Sequence, residues 1–134
     1  GYDVLYETAQ NLFGDFEDER FNRTYNTGMD EKKTDRYFEC DLLIIDDLGI
    51  ERNSEFAREQ VLSVIDSRYR SELPMIVTTN LSLKKLKNPE DMARARIYDR
   101  VLERCMPIRV NDQNIRDLNK EANIEQAKRI LGDI

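Results

Sequence analysis

The sequence has 134 residues, 40% of them hydrophobic and 36% charged, which is the make-up of one soluble folded domain or part of one. It has no histidine and only two cysteines, Cys40 and Cys105, which excludes Ser-His-Asp and Cys-His nucleophile systems, imidazole-ligated zinc and a disulfide framework. The longest apolar run, residues 42–45, is far short of the roughly 20 residues of a membrane span, and no signal-like start precedes it.

Both cysteines are expected to be free thiols, and the protein to be cytoplasmic with no membrane association. The net charge of −6 is unevenly spread. Residues 1–83 carry 9 basic and 18 acidic side chains, residues 84–109 carry 8 and 4, and residues 110–134 carry 4 and 5. A basic stretch inside an acidic chain can face phosphate, nucleic acid or an acidic partner, or be a salt-bridged helix face.

Taken in chain order, residues 2–6 (Tyr-Asp-Val-Leu-Tyr) alternate and read as a short strand. Thr8 is placed to cap a helix through Ala9, Leu12 and Phe13, which Gly14 weakens and which the acidic run of residues 15–19 can continue. Residues 22–34 lack periodicity and read as a loop, and residues 35–39 as one helical turn. The run Leu42-Leu43-Ile44-Ile45, bounded by Asp41 and Asp46, predicts a buried strand of a parallel sheet.

Asn53-Ser54 offers a cap for a helix over residues 54–71, with Phe56, Ala57, Val61, Val64, Ile65, Arg68 and Tyr69 at helical spacing. After Pro74, residues 75–79 form a second buried strand, so strand, helix and strand make a right-handed crossover. Residues 81–86 read as a short helical turn and residues 91–105 as an amphipathic helix. Residues 107–110 (Pro-Ile-Arg-Val) are expected to be a third strand of the same sheet, and residues 114–131 a polar helix.

Three motifs carry chemistry. Four apolar strand residues followed by Asp46-Asp47 form the pattern of a Walker B strand. A buried strand fixes its last residue at the sheet edge where open α/β sheets bind ligands. There Asp46 suits Mg²⁺, held through water, and Asp47 suits a water that attacks a phosphoryl group. Thr78-Thr79-Asn80 ends the next strand, where an amide can both donate to a γ-phosphate oxygen and orient a water.

The third motif is a stripe. Arg96, Arg100 and Arg104 recur every four residues on one helical face, with Asp99 and Glu103 spaced to pair with Arg96 and Arg100. The stripe reads either as a solvated salt-bridged face or as a guanidinium presented to the nucleotide of a neighbouring subunit. Arg116, at the start of the last helix, can also reach a phosphate.

Together these residues resemble the AAA+ ATPases, and among them the bacterial replicative helicase loaders of the DnaC/DnaI type. The likeness is carried by CDLLIIDDLGIE (40–51), VLSVIDSRYRSELPMIVTTNLSL (61–83) and ARIYDRVLERCMPIRV (95–110), with GYDVLYETAQNLF (1–13) similar to the strand and helix that follow the family's phosphate-binding helix. It implies a partial three-layer α/β/α AAA+ domain with a mainly parallel sheet. It also implies a replication protein that binds ATP and Mg²⁺, partners the replicative DNA helicase and single-stranded DNA, and forms a homo-oligomer.

Carried over residue by residue, Asp46 takes the metal-binding Walker B place and Asp47 the water-polarising one. Asn80 takes sensor 1. Arg100 takes the arginine finger, with Arg96 and Arg104 as second choices, and Arg116 takes sensor 2. The usual Gly-x-Ser-x-Arg context of sensor 2 is here Asp112-Gln113-Asn114-Ile115-Arg116.

The family's phosphate loop, Gly-x-x-x-x-Gly-Lys-Thr/Ser, is absent, because none of the five glycines precedes a Lys-Thr or Lys-Ser at that spacing. The chain is therefore expected to start after that loop and its strand, to leave a gap in the sheet, and to bind ATP poorly alone. Two rivals remain: a transposition helper ATPase of the IstB type, and a non-catalytic protein- or DNA-binding adaptor. A response-regulator-type phosphoacceptor domain fits poorly, since its first-strand acidic pair and later strand-end lysine are missing.

Overall fold

The computed structural model describes residues 1–25, 32–49, 54–89, 91–110 and 115–132. Its centre is a parallel sheet of three strands in the order β1-β2-β3, namely β1 (Val4–Thr8), β2 (Leu42–Asp46) and β3 (Met75–Val77). Val4 pairs with Leu42 and Thr8 with Asp46, while Leu43 pairs with Met75 and Ile45 with Val77. Side chains alternate between the two faces, so this register puts Leu5, Leu43, Ile45, Met75 and Val77 on one face. Val4, Tyr6, Ile44, Asp46 and Ile76 share the other.

Helices cover the first face. They are α1 (Ala9–Tyr25), α2 (Asp35–Glu39), α3 (Glu55–Arg70), α4 (Leu83–Lys87) and α5 (Met92–Arg104). Their buried side chains include Leu12, Phe13 and Phe16 of α1, Val61, Val64 and Ile65 of α3, and Ile97 and Tyr98 of α5, which close one core over Leu43 and Ile45. The second face is more open among the described residues, with Val4, Tyr6 and Ile76 each about half exposed. The last helix, α6 (Ile115–Leu131), is exposed along its described length.

Local chemistry sets the element ends. Thr8 Oγ1 accepts from the Asn11 backbone N–H at 3.2 Å, capping α1. Ser54 Oγ accepts from Ala57 N–H at 3.2 Å and starts α3. That helix closes with two bonds, Glu72 N–H to the Tyr69 carbonyl and Leu73 N–H to the Arg68 carbonyl, with Glu72 left-handed at φ 56°. This is a Schellman closure built on a glutamate, where glycine usually stands. Ser82 and Asp91 cap α4 and α5 through their side chains.

Four expectations change. The first strand is Val4–Thr8, two residues later than the alternation in 2–6 suggested, because pairing with Leu42–Asp46 sets its ends. Helix α1 continues beyond the acidic run to Tyr25, into residues 22–25 expected to be loop. Residues 78–79 lie beyond the end of β3.

Most importantly, residues 107–110 are not a strand. They run unpaired, with Ile108 and Val110 at least 80% exposed, because no strand among the described residues lies beside them to complete a ladder. Between them and the unpaired edge of β3 lies a groove of about 1800 Å³, lined by Leu73, Ile76, Leu102, Cys105, Ile108 and Val110. Residues 26–31 of the expected loop, the Asn53 cap and the Asn114 helix start lie outside the described residues.

The largest wholly buried side chain is Arg68, which the sequence placed among the core positions of its helix. Among the described residues no carboxylate meets it. Its Nη1 donates to the carbonyls of Tyr37 at 3.1 Å and Cys40 at 2.8 Å, and its Nη2 to that of Pro74 at 2.7 Å. One guanidinium thus ties α2, the start of β2 and the start of β3 to α3. Cys40 is buried, Cys105 is partly exposed, and both are free, as expected.

Candidate functional site

The acidic pair sits where β2 ends. Leu43 and Ile45 are buried and anchor the strand, so Asp46 emerges at the carboxyl edge of the sheet with a fixed direction. Asp47 follows in the left-handed region at φ 62°, a conformation that a short polar side chain tolerates better than most. Its backbone N–H donates to Thr78 Oγ1 at 3.0 Å. The chain therefore turns sharply at Asp47 and presents two adjacent carboxylates in different directions.

Asp46 is held from both sides. Thr78 Oγ1, just past β3, donates to Asp46 Oδ1 at 2.5 Å, and Tyr6 Oη, on β1, donates to Asp46 Oδ2 at 2.5 Å. These bonds, the Thr78 bond first, hold the Asp46 carboxyl below the usual range, and the positive charge of Arg116 lowers it further. Conversely, the bond to Asp46 pushes the Tyr6 phenol above its ordinary value. Asp46 is thus a fixed anion, and each of its oxygens keeps a lone pair beyond the hydroxyl it accepts from. That donor set fits Mg²⁺ held through water.

Asn80 lies opposite. Its Nδ2 is 3.3 Å from Asp47 Oδ1. Two bonds lock the two loops together: Thr79 Oγ1 to the Leu48 carbonyl at 2.6 Å, and Leu48 N–H to the Thr78 carbonyl at 2.9 Å. Gly49, at φ 127°, closes the turn against Leu81, and a Cβ there would come within 2.6 Å of Leu81 Cδ1. The Gly49 carbonyl also lies within 3.4 Å of Arg94 Nη1, so the turn after Asp47 touches α5.

The arginines divide. Arg116, in the first turn of α6, is close enough for its charge to act on Asp46, although its sequence context departs from the expected one. The stripe on α5 instead faces α3. Arg96 Nη1 meets Glu59 Oε1 at 2.5 Å, Arg100 Nε meets Asp66 Oδ1 at 3.3 Å, and Arg104 Nη2 meets the same Asp66 oxygen at 3.9 Å while its guanidinium stacks 3.8 Å from the Tyr69 ring. Arg100 also reaches Glu103 at 3.3 Å. Within one chain, therefore, the stripe pairs with α3 and not with Asp46 or Asp47.

Sequence reasoning singled out Asp46, Asp47, Asn80 and Arg116, and placed Thr78 in the same motif as Asn80 without its bond to Asp46, but missed Tyr6 and Asp66. Parallel pairing could have found Tyr6: residues 4–8 beside residues 42–46 put Tyr6 and Asp46 on one face, two positions apart. Among the described residues no cluster of three or more acidic or thiol side chains is arranged to hold a metal, and no helix is long and apolar enough to cross a membrane.

A family model described as IstB-like ATP binding protein matches residues 1–123. The chromosomal replication initiator protein DnaA of Helicobacter hepaticus is 29% identical over 93 residues, 69% of this chain and 19% of that protein. The replicative helicase loader DnaI of Bacillus subtilis is 28% identical over 96 residues, 64% of this chain and 31% of the loader. The chain thus spans less than a third of the length of either relative. A solved structure of the replication initiator DnaA, bound to AMPPCP and single-stranded DNA, superposes over 99% of this chain and 48% of its own, with a TM-score of 0.64 at 18% identity, which shows a shared fold. The three-stranded parallel sheet with its helices is accordingly an AAA+ type of α/β fold, and the chain belongs to the IstB-like ATP-binding family, with replication proteins of the DnaA and DnaI kinds among its relatives.

Proposed function

We propose that this chain is the Walker B-to-sensor part of an ATP-hydrolysing helicase loader, which acts on the replicative DNA helicase and single-stranded DNA. The observation that carries the reading is the juxtaposition of Asp46, Asp47 and Asn80 at one sheet edge, with Asn80 Nδ2 3.3 Å from Asp47 Oδ1. An ATPase needs a carboxylate for the metal, a second for the attacking water and an amide to align them, whereas an adaptor needs none of these.

In this reading Asp46 is the residue that would hold Mg²⁺ through water, and the ion would supply positive charge to the phosphates when bound. Asp47 accepts a hydrogen bond from the attacking water and orients it. Asn80 holds Asp47 and offers its amide to the γ-phosphate. Arg116 contributes positive charge on the same side. The groove beside β3 receives a strand that ends in the phosphate loop, supplied by the intact protein. Its two borders are the outer edge of β3 and residues 107–110, which pair with no strand among the described residues, and such a strand would pair with both.

Arg100 is the finger for a neighbouring subunit, and it leaves Asp66 and Glu103 when that subunit binds. The basic stretch 84–109 adds attraction for single-stranded DNA, with Lys84, Lys85 and Lys87 exposed on α4.

The test uses the intact protein with its helicase and single-stranded DNA circles. Arg100→Ala should keep ATP binding and lose hydrolysis and helicase transfer by at least about a hundredfold. Mixing it with Asp47→Asn subunits should restore part of the hydrolysis, because each variant supplies what the other lacks. Unchanged hydrolysis in Arg100→Ala would remove the finger role. The family match favours a second reading, a transposition helper of the IstB type. Selective binding of a transposase, and not of the helicase, would establish it.

A further inference from the structure

We propose that Tyr6 is a positioning residue for the metal-binding carboxylate, holding Asp46 in the one orientation that can take up a divalent cation. The proposal rests on the reading of Asp46 as the Mg²⁺ residue. Three observations support it.

The first is symmetry. Asp46 ends the middle strand, and one hydroxyl from each flanking strand region closes on it, Tyr6 Oη on Oδ2 and Thr78 Oγ1 on Oδ1, both at 2.5 Å. Neither bond alone fixes rotation of a carboxylate, but two donors on opposite oxygens do. The torsion that would otherwise swing freely at an exposed sheet edge is set before any ligand arrives, which is the preorganisation a metal site needs.

The second is placement. Tyr6 pairs in register with Ile44, so its side chain lies on the same face as Asp46 and only a long side chain can reach it. Phenylalanine would cover the same apolar surface, so the position does not require a phenol for packing. Tyr6 is 57% exposed and is not part of the buried core.

The third is chemistry. A tyrosine hydroxyl donates one hydrogen bond and carries no formal charge, so it orients the carboxylate without cancelling the charge that attracts a cation. A lysine or arginine at this place would compete with the ion.

The experiment titrates Mn²⁺ into the intact protein with a non-hydrolysable ATP analogue, reading free Mn²⁺ by electron paramagnetic resonance. Nucleotide binding without metal is measured alongside. Asp46→Asn tests the underlying reading: Mn²⁺ affinity of the nucleotide complex should fall by roughly 10–100-fold, and retention of wild-type affinity would end both that reading and the role of Tyr6. Given that loss, Tyr6→Phe should weaken Mn²⁺ binding roughly tenfold, in line with other outer partners of metal ligands, and leave metal-free nucleotide binding and the melting temperature unchanged. Wild-type Mn²⁺ affinity in Tyr6→Phe would overturn the role of Tyr6 alone. Equal weakening of metal-dependent and metal-free binding would also overturn it, because the phenol would then be only structural.

Discussion

Asn80 Nδ2 lies 3.3 Å from Asp47 Oδ1, so the amide after β3 touches the carboxylate after β2. The two loops meet because Leu48 and Thr79 are tied by their own bonds, and not because these two side chains attract. Asn80→Ala should therefore leave the turn intact. In the intact protein it should lower the rate of ATP hydrolysis by about 10²–10³, the usual effect of losing one donor to a developing charge, with ATP affinity nearly unchanged. Single-turnover kinetics beside equilibrium binding checks this. A parallel fall in affinity and rate would mean that Asn80 only builds the loop.

The 134-residue chain by itself should bind Mg-ATP weakly or not at all. The amides and lysine of a phosphate loop are absent from its sequence, and a carboxylate edge without them repels the phosphates. Calorimetry on the isolated chain checks this, and micromolar binding would refute it.

Arg68 should dominate the stability of the sheet's amino-terminal edge. Its guanidinium is wholly buried and satisfies the carbonyls of Tyr37, Cys40 and Pro74. Arg68→Met keeps most of the volume but orphans those carbonyls, and should cost about 3 kcal/mol, offset in part by no longer burying a charge. Urea denaturation measures it. A loss below about 1 kcal/mol would show that water or a shifted backbone replaces the guanidinium.

Tyr37 predicts an alkaline limit. Burial first, and then its 2.5 Å bond to Asp15 Oδ2, push its phenol far above the ordinary value of 10.0. The raised group favours the folded state fully below that value, and the benefit is lost as pH rises past it, because the unfolded phenol ionises while the folded one does not. Stability should fall by about 1.4 kcal/mol per pH unit above about pH 10 through this residue alone. Tyr37→Phe should show a shallower alkaline slope in denaturant titrations, and an unchanged slope would contradict the assignment.

The sequence made the helices and the acidic pair legible for different reasons. Ser54 is a side-chain cap whose chemistry is local, so α3 starts where the residues say it should, whereas α4, capped by Ser82, starts at Leu83, two residues past the turn expected from residue 81. The run 42–45 was legible because nothing but a buried strand accommodates it. Residues 107–110 misled because strand propensity is only half of a strand, and the other half is a neighbour that these residues do not have here. The bonds of Tyr6 and Thr78 to Asp46 stayed hidden because that partner is 40 and 32 positions away and becomes visible only once the register is known. The arginine stripe was legible as a stripe, but whether it meets Asp66 and Glu59 or a neighbour's phosphate depends on packing that spacing does not encode.

The most direct test of an ATPase site built on Asp46, Asp47 and Asn80 is the fate of ATP on an Asp47→Asn variant of the intact protein. Asparagine tolerates the left-handed backbone at φ 62° and keeps the side-chain size, so the fold should survive. The expected result is ATP bound with near wild-type affinity and hydrolysed about 10²–10⁴ times more slowly in a single-turnover assay, the range lost with a general base. Hydrolysis at the wild-type rate would contradict the assignment of this sheet edge as the catalytic centre.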